Sequence, residues 1–384
     1  MSDDRFLLIK AWSYILWADV EHVLSQLLIA ELTNRVPIVY WPTHCLHNGF
    51  VHTNGFELYF EPISPYTIFD IAKPDYTFYP PVWDYDNLLV EDAAKETWVY
   101  RNIGDIMCSD ANVLIGDVYF DVYNLLPFIK KDHPAYGMTV RQVYCYLFQK
   151  YIKIKQDIAV EVQGFYHSWL KDETPALAVH VCRVDKDQVI YLNKSDDKHY
   201  KYYSKSFSKS KKNSTVEKPI KVSKIRRNRR LLEANKIYHE EIHKLIEKYN
   251  IQKIFLLTNS EEIVKEYQLK YSSKLAFTQC KRFNDNGKDN YMESPMVKRR
   301  RGIEIIKDTY IASKCDFFIG SDFSSLSHAI TFIKDWPDTN VQLLFWRYKN
   351  RKYPINVQLV AKRAGNNIFK RLFNWFKKLF KKND

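Results

Sequence analysis

Apolar positions follow two rhythms along this chain: short continuous runs of strand length, and longer stretches with helical spacing. The first run is FLLIKAWSYIL, beginning at Phe6. DVEHVLSQLLIAELTNR follows, with Val20, Val23, Leu24, Leu27, Leu28 and Leu32 at helical intervals and Asp19 placed as the N-cap. VPIVYW, ending at Trp41, then reads as a buried strand. Strand, helix and strand in this order open an α/β domain. Residues 43–135 are rich in aromatic residues and proline (YPPVWDYDN) and predict loops and short elements decorating that domain. Helical periodicity returns from Met138 in MTVRQVYCYLFQKYIKIK, and the first domain is expected to close near residue 170.

A second pattern starts at ALAVHVCR, an apolar run typical of a central parallel strand. Residues 187–227 are Lys-, Ser- and Tyr-rich without apolar period, which predicts a surface loop or insertion. A helix from about Arg229 to Lys248 is expected next, then the strand KIFLLT and the helix SEEIVKEYQLKY. After a polar loop come the helix GIEIIKDTYIASK, the strand CDFFIG, the helix SSLSHAITFI and the strand VQLLFW. Strands alternating with helices imply a parallel, doubly wound sheet. The expected organisation is two Rossmann-like domains, 1–170 and 171–362, followed by a separate helix over 363–384.

Composition narrows the class. With 384 residues, 46% hydrophobic and 15% aromatic, the chain has material for two ordinary cores. Its six cysteines are scattered singly, as expected of reduced thiols rather than a disulfide framework. The first residues lack the pattern of a secretory signal, and no run of 18 uncharged apolar residues predicts a spanning helix. The net charge of +13 is uneven: residues 362–384 carry eight Lys or Arg against one Asp, and Lys198 to Arg230 is similarly basic. The main body outside these two stretches is close to balanced.

Three features sit where a doubly wound sheet binds ligands, at the carboxyl ends of its strands. His180-Val-Cys-Arg183-Val-Asp185-Lys186 leaves the strand ALAVHV and brings charge to the mouth of the sheet, or else is a solvated strand end. Thr258-Asn259-Ser260 precedes a helix and has the composition of an ordinary cap. Gly320-Ser321-Asp322-Phe323-Ser324-Ser325 offers hydroxyls and free backbone N–H groups at another helix start, which suits an anion as well as a cap.

Together these stretches resemble the fucosyltransferase superfamily, the α1,6-fucosyltransferases and their bacterial Nod-factor relatives. AVHVCRVDK is similar to the family's HVRRTDK-type strand end, and IFLLTNSEEIVKEYQLKY to its second motif. DTYIASKCDFFIGSDFSSLS is similar to its third, with Asp308, Asp316 and the Phe323-Ser324-Ser325 turn. LWADVEHVLSQLLIAELTNRVPIVYW and FELYFEPIS resemble the family's opening strand-turn-helix and the segment after it. The resemblance implies a GT-B architecture, an acceptor domain facing a donor domain across a cleft. It implies a GDP-sugar donor, with His180 and Asp308 near the base and ribose. Arg183 with Ser324 and Ser325 would hold the pyrophosphate, Asp185 and Lys186 would organise their loop, and Asn259 would line the site. The implied transfer is inverting and needs no metal or other cofactor, since guanidinium, ammonium and helix-end dipoles stabilise the leaving diphosphate.

The chain departs from the family at three points. Cys182 stands where the family has its first Arg, Asn259-Ser260 where it has an Asp pair, and Ile190 where it has an acid. A base for the acceptor hydroxyl must then come from elsewhere. Asp19, with His22 as the alternative, is nominated from the first helix, against the simpler reading of Asp19 as a cap. Arg183 completes the expected catalytic set.

Other signals are set aside. Asp84-Tyr85-Asp86 has the spacing of a metal-binding DxD but follows Pro-Pro-Val-Trp in an irregular region. His44, Cys45, His47 and His52 have no second ligand pair at finger spacing. No metal is therefore expected. The tail NIFKRLFNWFKKLFKK sets Phe369, Phe373, Trp375, Phe376 and Phe380 on one broad side, with Lys377, Lys378 and further basic residues opposite. That is the profile of a helix lying on anionic lipid, where each nearby basic residue adds about 1 kcal/mol. The expected setting is cytoplasmic, peripheral on the inner face of the membrane, with a lipid-linked or cell-surface glycan as acceptor. Two other readings remain open: a nucleic-acid-binding protein using the basic insertion, and a degenerate transferase kept as a membrane scaffold. The first has no recognisable module behind it, so nucleic acid is not the expected partner.

Overall fold

A computed structural model describes residues 5–12, 15–42, 50, 53–89, 101–181, 224–282 and 294–344. The expectations for Cys182, Arg183, Asp185, Lys186 and Ile190, for the insertion up to residue 223 and for the 363–384 helix lie outside these residues. Among the described residues, those up to Lys155 together with Ser294–Gly302 form one unit, and the remainder a second. The division falls at Lys155, after the helical stretch from Met138, whereas the sequence reading had set the boundary near residue 170.

The first unit holds β1 (Phe6–Lys10), α1 (Leu16–Leu32), β2 (Val36–Tyr40), the short α2 (Ile68–Ile71), β3 (Phe78–Tyr79), α3 (Ile103–Cys108), β4 (Val113–Gly116), α4 (Val122–Leu125) and α5 (Val140–Tyr151). All strand pairs are parallel, in the order β2-β1-β4-β3. β1 is buried at every position, which is why FLLI shows no alternation. One face packs Phe6, Leu8, Ile38, Val113 and Ile115 against Ile68, Ile71, Trp83 and Leu88.

Two expectations change here. The apolar run from Phe6 is not one element: β1 stops at Lys10 and α1 already begins at Leu16. Asp19 is therefore inside the helix and is not its N-cap; Ile15 holds that position without a side-chain cap. Thirteen of the helix's seventeen residues are buried, so its apolar spacing carried no mark of where it begins. The stretch 43–135 is also more than decoration, since it supplies β3 and β4, and β4 bonds to both β1 and β3. α5 ends at Tyr151, and Ile154 pairs with Phe60 in an isolated antiparallel bridge. Its start is a capping box in which Gln142 N–H donates to Thr139 Oγ1 and Thr139 N–H donates to the Gln142 side chain.

The second unit holds α6 (Gln156–Trp169), β5 (Ala176–His180), α7 (Lys224–Tyr249), β6 (Lys253–Leu257), α8 (Glu261–Tyr271), β7 (Leu275–Ala276), most of α9 (Pro295–Ser313), β8 (Phe317–Ser321), α10 (Ser325–Ile333) and β9 (Val341–Leu344). The sheet is wholly parallel, in the order β7-β6-β5-β8-β9. Leu177, Val179, Ile254, Leu256, Phe317 and Ile319 pack against Tyr238, Ile242, Val264 and Tyr267. From β5 the chain winds through β6 to β7 on one side, then returns to β8 and β9 on the other. The winding reverses between β5 and β8. In open α/β sheets that crevice, at the carboxyl ends, is where ligands sit.

Candidate active site

His180 is the last residue of β5 and Ser321 the last of β8, so they stand on the two sides of that crevice. His180 is buried, and Nδ1 lies 2.7 Å from Ser327 Oγ. Burial pushes its pKa down to about 4, leaving a neutral ring near pH 7. Ser327 is itself inaccessible, and its hydroxyl accepts the Ser321 N–H at 3.0 Å. One hydroxyl thus joins the ends of both strands to the first turn of α10.

Ser324 is the N-cap of α10, its Oγ facing the Ser327 N–H at 3.5 Å, and Ser325 opens the helix. The cap reading and the anion reading of this turn are compatible, because one side chain satisfies one amide and other first-turn donors remain. Asp322 N–H donates to Leu344 O, which fixes the turn against β9.

On the other side of the sheet, Thr258, Asn259 and Ser260 follow β6. Asn259 is exposed, whereas Ser260 is buried at the N-cap position of α8 and spends its hydroxyl on Glu262 at 2.7 Å. Arg282 gathers this edge: its guanidinium donates to the carbonyls of Thr258 at 3.2 Å, Thr278 at 2.8 Å and Cys280 at 3.4 Å. Asp308, on α9, is buried and accepts the Thr278 hydroxyl proton at 2.6 Å. Burial pushes its pKa up to about 6, against the Thr278 hydrogen bond and the Arg282 charge, which pull it down. The described part of the expected donor set is therefore placed at the carboxyl edge of one sheet. Ser327, Thr278 and Arg282 were not anticipated. Thr278 and Arg282 lie outside the motifs and Ser327 closes the third, and only the fold shows what each of them touches.

The nominated bases are differently placed. Asp19 is 1% exposed and accepts the Trp12 N–H at 2.8 Å. His22 is fully buried, with Nε2 within 3.0 Å of Gly116 O and its pKa pushed down to about 4 by burial. Both side chains are enclosed within the first unit. Beside them, at the carboxyl ends of β1 and β4, lies a buried network that sequence reading missed. Lys10 donates to Leu88 O at 2.7 Å and stacks on Trp83, while Asp117 receives Arg101 and the Trp83 indole N–H. Asp84, of the DxD-like triplet, accepts the amides of Asp86 and Asn87 in a local turn.

No family model matches the sequence, and no curated protein does. Solved structures do match. NodZ α-1,6-fucosyltransferase soaked with GDP-fucose superposes with a TM-score of 0.53 at 14% identity, over 86% of this chain and 92% of that one. The fucosyltransferase NodZ from Bradyrhizobium gives 0.50 at 13%, over 85% and 92%. NodZ co-crystallised with GDP gives 0.50 at 13%, over 85% and 91%. The fold of this chain is thus the fucosyltransferase-like GT-B fold, as the motifs led us to expect.

Proposed function

We propose that the chain is a glycosyltransferase that moves a sugar, fucose or a relative, from a GDP-linked donor to a lipid-linked or cell-surface glycan. What carries the reading is the crevice of the second sheet. A neutral His180 and the Ser324-Ser325 helix start flank the point where the winding reverses, in a fold shared with a protein that has been soaked with GDP-fucose. Asp308 and Asn259 line the same carboxyl edge. Arg183, which follows β5 in sequence, supplies positive charge for the pyrophosphate, and Asp185 and Lys186 organise its loop.

In the proposed reaction the acceptor hydroxyl attacks the anomeric carbon with inversion. The bond from that carbon to the diphosphate breaks, and the nucleoside diphosphate departs against Arg183, Lys186 and the start of α10, with no metal required. Asp19 and His22 are too enclosed to take the hydroxyl proton, so the base lies elsewhere. The tail, with Phe369, Phe373, Trp375, Phe376, Lys377, Lys378 and Phe380, holds the enzyme at the anionic inner face of the cytoplasmic membrane, next to a lipid-linked acceptor.

The test is a melting experiment on the full chain with GDP, UDP and dTDP in a chelator. GDP is expected to raise the melting temperature most. A curve unmoved by all three at millimolar concentration would sink the reading.

A further inference from the structure

The contacts of Ser327 settle which nitrogen of His180 carries the proton. Its Oγ already accepts the Ser321 N–H at 3.0 Å, and among the described residues the only other partner of that oxygen is His180 Nδ1 at 2.7 Å. Suppose Nδ1 carried the proton and donated to Oγ. The hydroxyl hydrogen would then have no acceptor among the described residues, inside a residue that is 0% exposed. A buried donor without a partner is the costlier arrangement. With the hydroxyl donating to a bare Nδ1, both Ser327 Oγ and Nδ1 are satisfied, and the ring proton resides on Nε2. Nε2 itself has no protein partner among the described residues. The neutral ring that burial enforces agrees with this assignment.

We propose that Ser327 is a positioning residue that locks His180 as the Nε2–H tautomer, so that the crevice between β5 and β8 offers the nucleotide a fixed, uncharged hydrogen-bond donor. A ligand accepted there presents a lone-pair atom, a ring nitrogen or a carbonyl or hydroxyl oxygen, to that N–H. A group that can only donate is refused, because it leaves two donors face to face. The inference rests on the donor-site reading above. It adds to that reading a residue to which the motifs gave no role, and a polarity for the contact.

The test uses the full chain labelled with ¹⁵N at histidine. The His180 signals, identified by their loss in His180→Gln, are expected to show a protonated Nε2 and a bare Nδ1. GDP titrations are then compared for wild type, Ser327→Ala and Ser327→Thr. Loss of the lock is expected to weaken GDP about tenfold in Ser327→Ala, as one well-aligned hydrogen bond is lost. Ser327→Thr, which keeps the hydroxyl, is expected to restore most of that affinity and the Nε2–H signature. If the buried site tolerates neither substitution, the tautomer in the wild-type chain still decides. A wild type that binds GDP with its proton on Nδ1 overturns this inference alone, as does Ser327→Ala binding GDP as tightly as wild type. A wild type that binds no GDP, UDP or dTDP overturns the donor-site reading, and this inference with it.

Discussion

The Thr278 hydroxyl meets the Asp308 carboxylate at 2.6 Å, joining the end of the short strand β7 to the middle of α9. That hydrogen bond favours the ionised carboxylate, yet burial outweighs it and holds the pKa near 6, above the ordinary 3.8. A carboxylate kept where ionisation is costly is a mark of a group retained for binding rather than for stability. The sign follows from linkage. Below about pH 3.8 the folded and unfolded chains both hold the proton; between that value and about 6 only the folded chain does; above it the folded chain carries a buried charge. The folded state therefore loses stability as pH rises through this window. Asp308→Asn is expected to melt higher than wild type at pH 7.5, by up to roughly 3 kcal/mol of stability, with the difference closing below about pH 4. GDP binding is expected to weaken in the same variant. Urea titrations at both pH values, beside a GDP titration, check it. A variant that is destabilised at pH 7.5 would count against the account.

How legible all this was depended on whether a residue's neighbours are local. His180, Ser324 and Asp308 stood in motifs at strand ends and helix starts, and the strands ALAVH and CDFFIG announced themselves as apolar runs. Ser327, by contrast, is one of four serines between positions 321 and 327, and nothing local distinguishes it from a solvated cap. Its role arises from a contact across 147 residues. The same holds in the first unit. Val113–Gly116 is only four residues long, and its place between β1 and β3 is a matter of pairing rather than pattern. Asp19 misled because an acid before an apolar periodic run has the form of a cap, whereas here the periodic run begins three positions earlier, at Leu16.

Lys10 gives a second measurable pH dependence. Its ammonium is buried over the Trp83 ring, 3.9 Å from the centroid, and burial pushes its pKa down to about 7 despite the Asp117 charge nearby. Since the folded value lies below the unfolded one, its contribution to stability is complete above pH 10.5 and is lost as pH falls through about 7. Wild type is therefore expected to gain stability from pH 6.5 to pH 9.5, within the range where other lysines stay charged. Lys10→Met, which keeps the length of the stem, is expected to flatten that slope, removing a change of about 3 kcal/mol. Chemical denaturation across this range gives the answer, and parallel slopes for the two proteins would refute it.

Gly320 tests the packing on which the crevice between β5 and β8 depends. A Cβ there would lie 2.6 Å from Ser327 Oγ and 2.6 Å from Phe318 Cζ, both inside contact distance. Phe318 is fully buried and Ser327 is held by three elements, so neither can step aside freely. Gly320→Ala is expected to cost about 1–3 kcal/mol through overpacking, an unusual penalty for adding one methyl group to a strand. Relief would come through the Ser327 side chain, the lighter of the two neighbours, and so through its bond to His180. GDP affinity should therefore fall with stability in Gly320→Ala. In a control such as Ala329→Gly, on the buried side of α10 but away from His180, stability should fall while affinity for GDP in the folded fraction holds. Equal loss of affinity in both variants would mean that the crevice responds to stability in general rather than to the Ser327 contact.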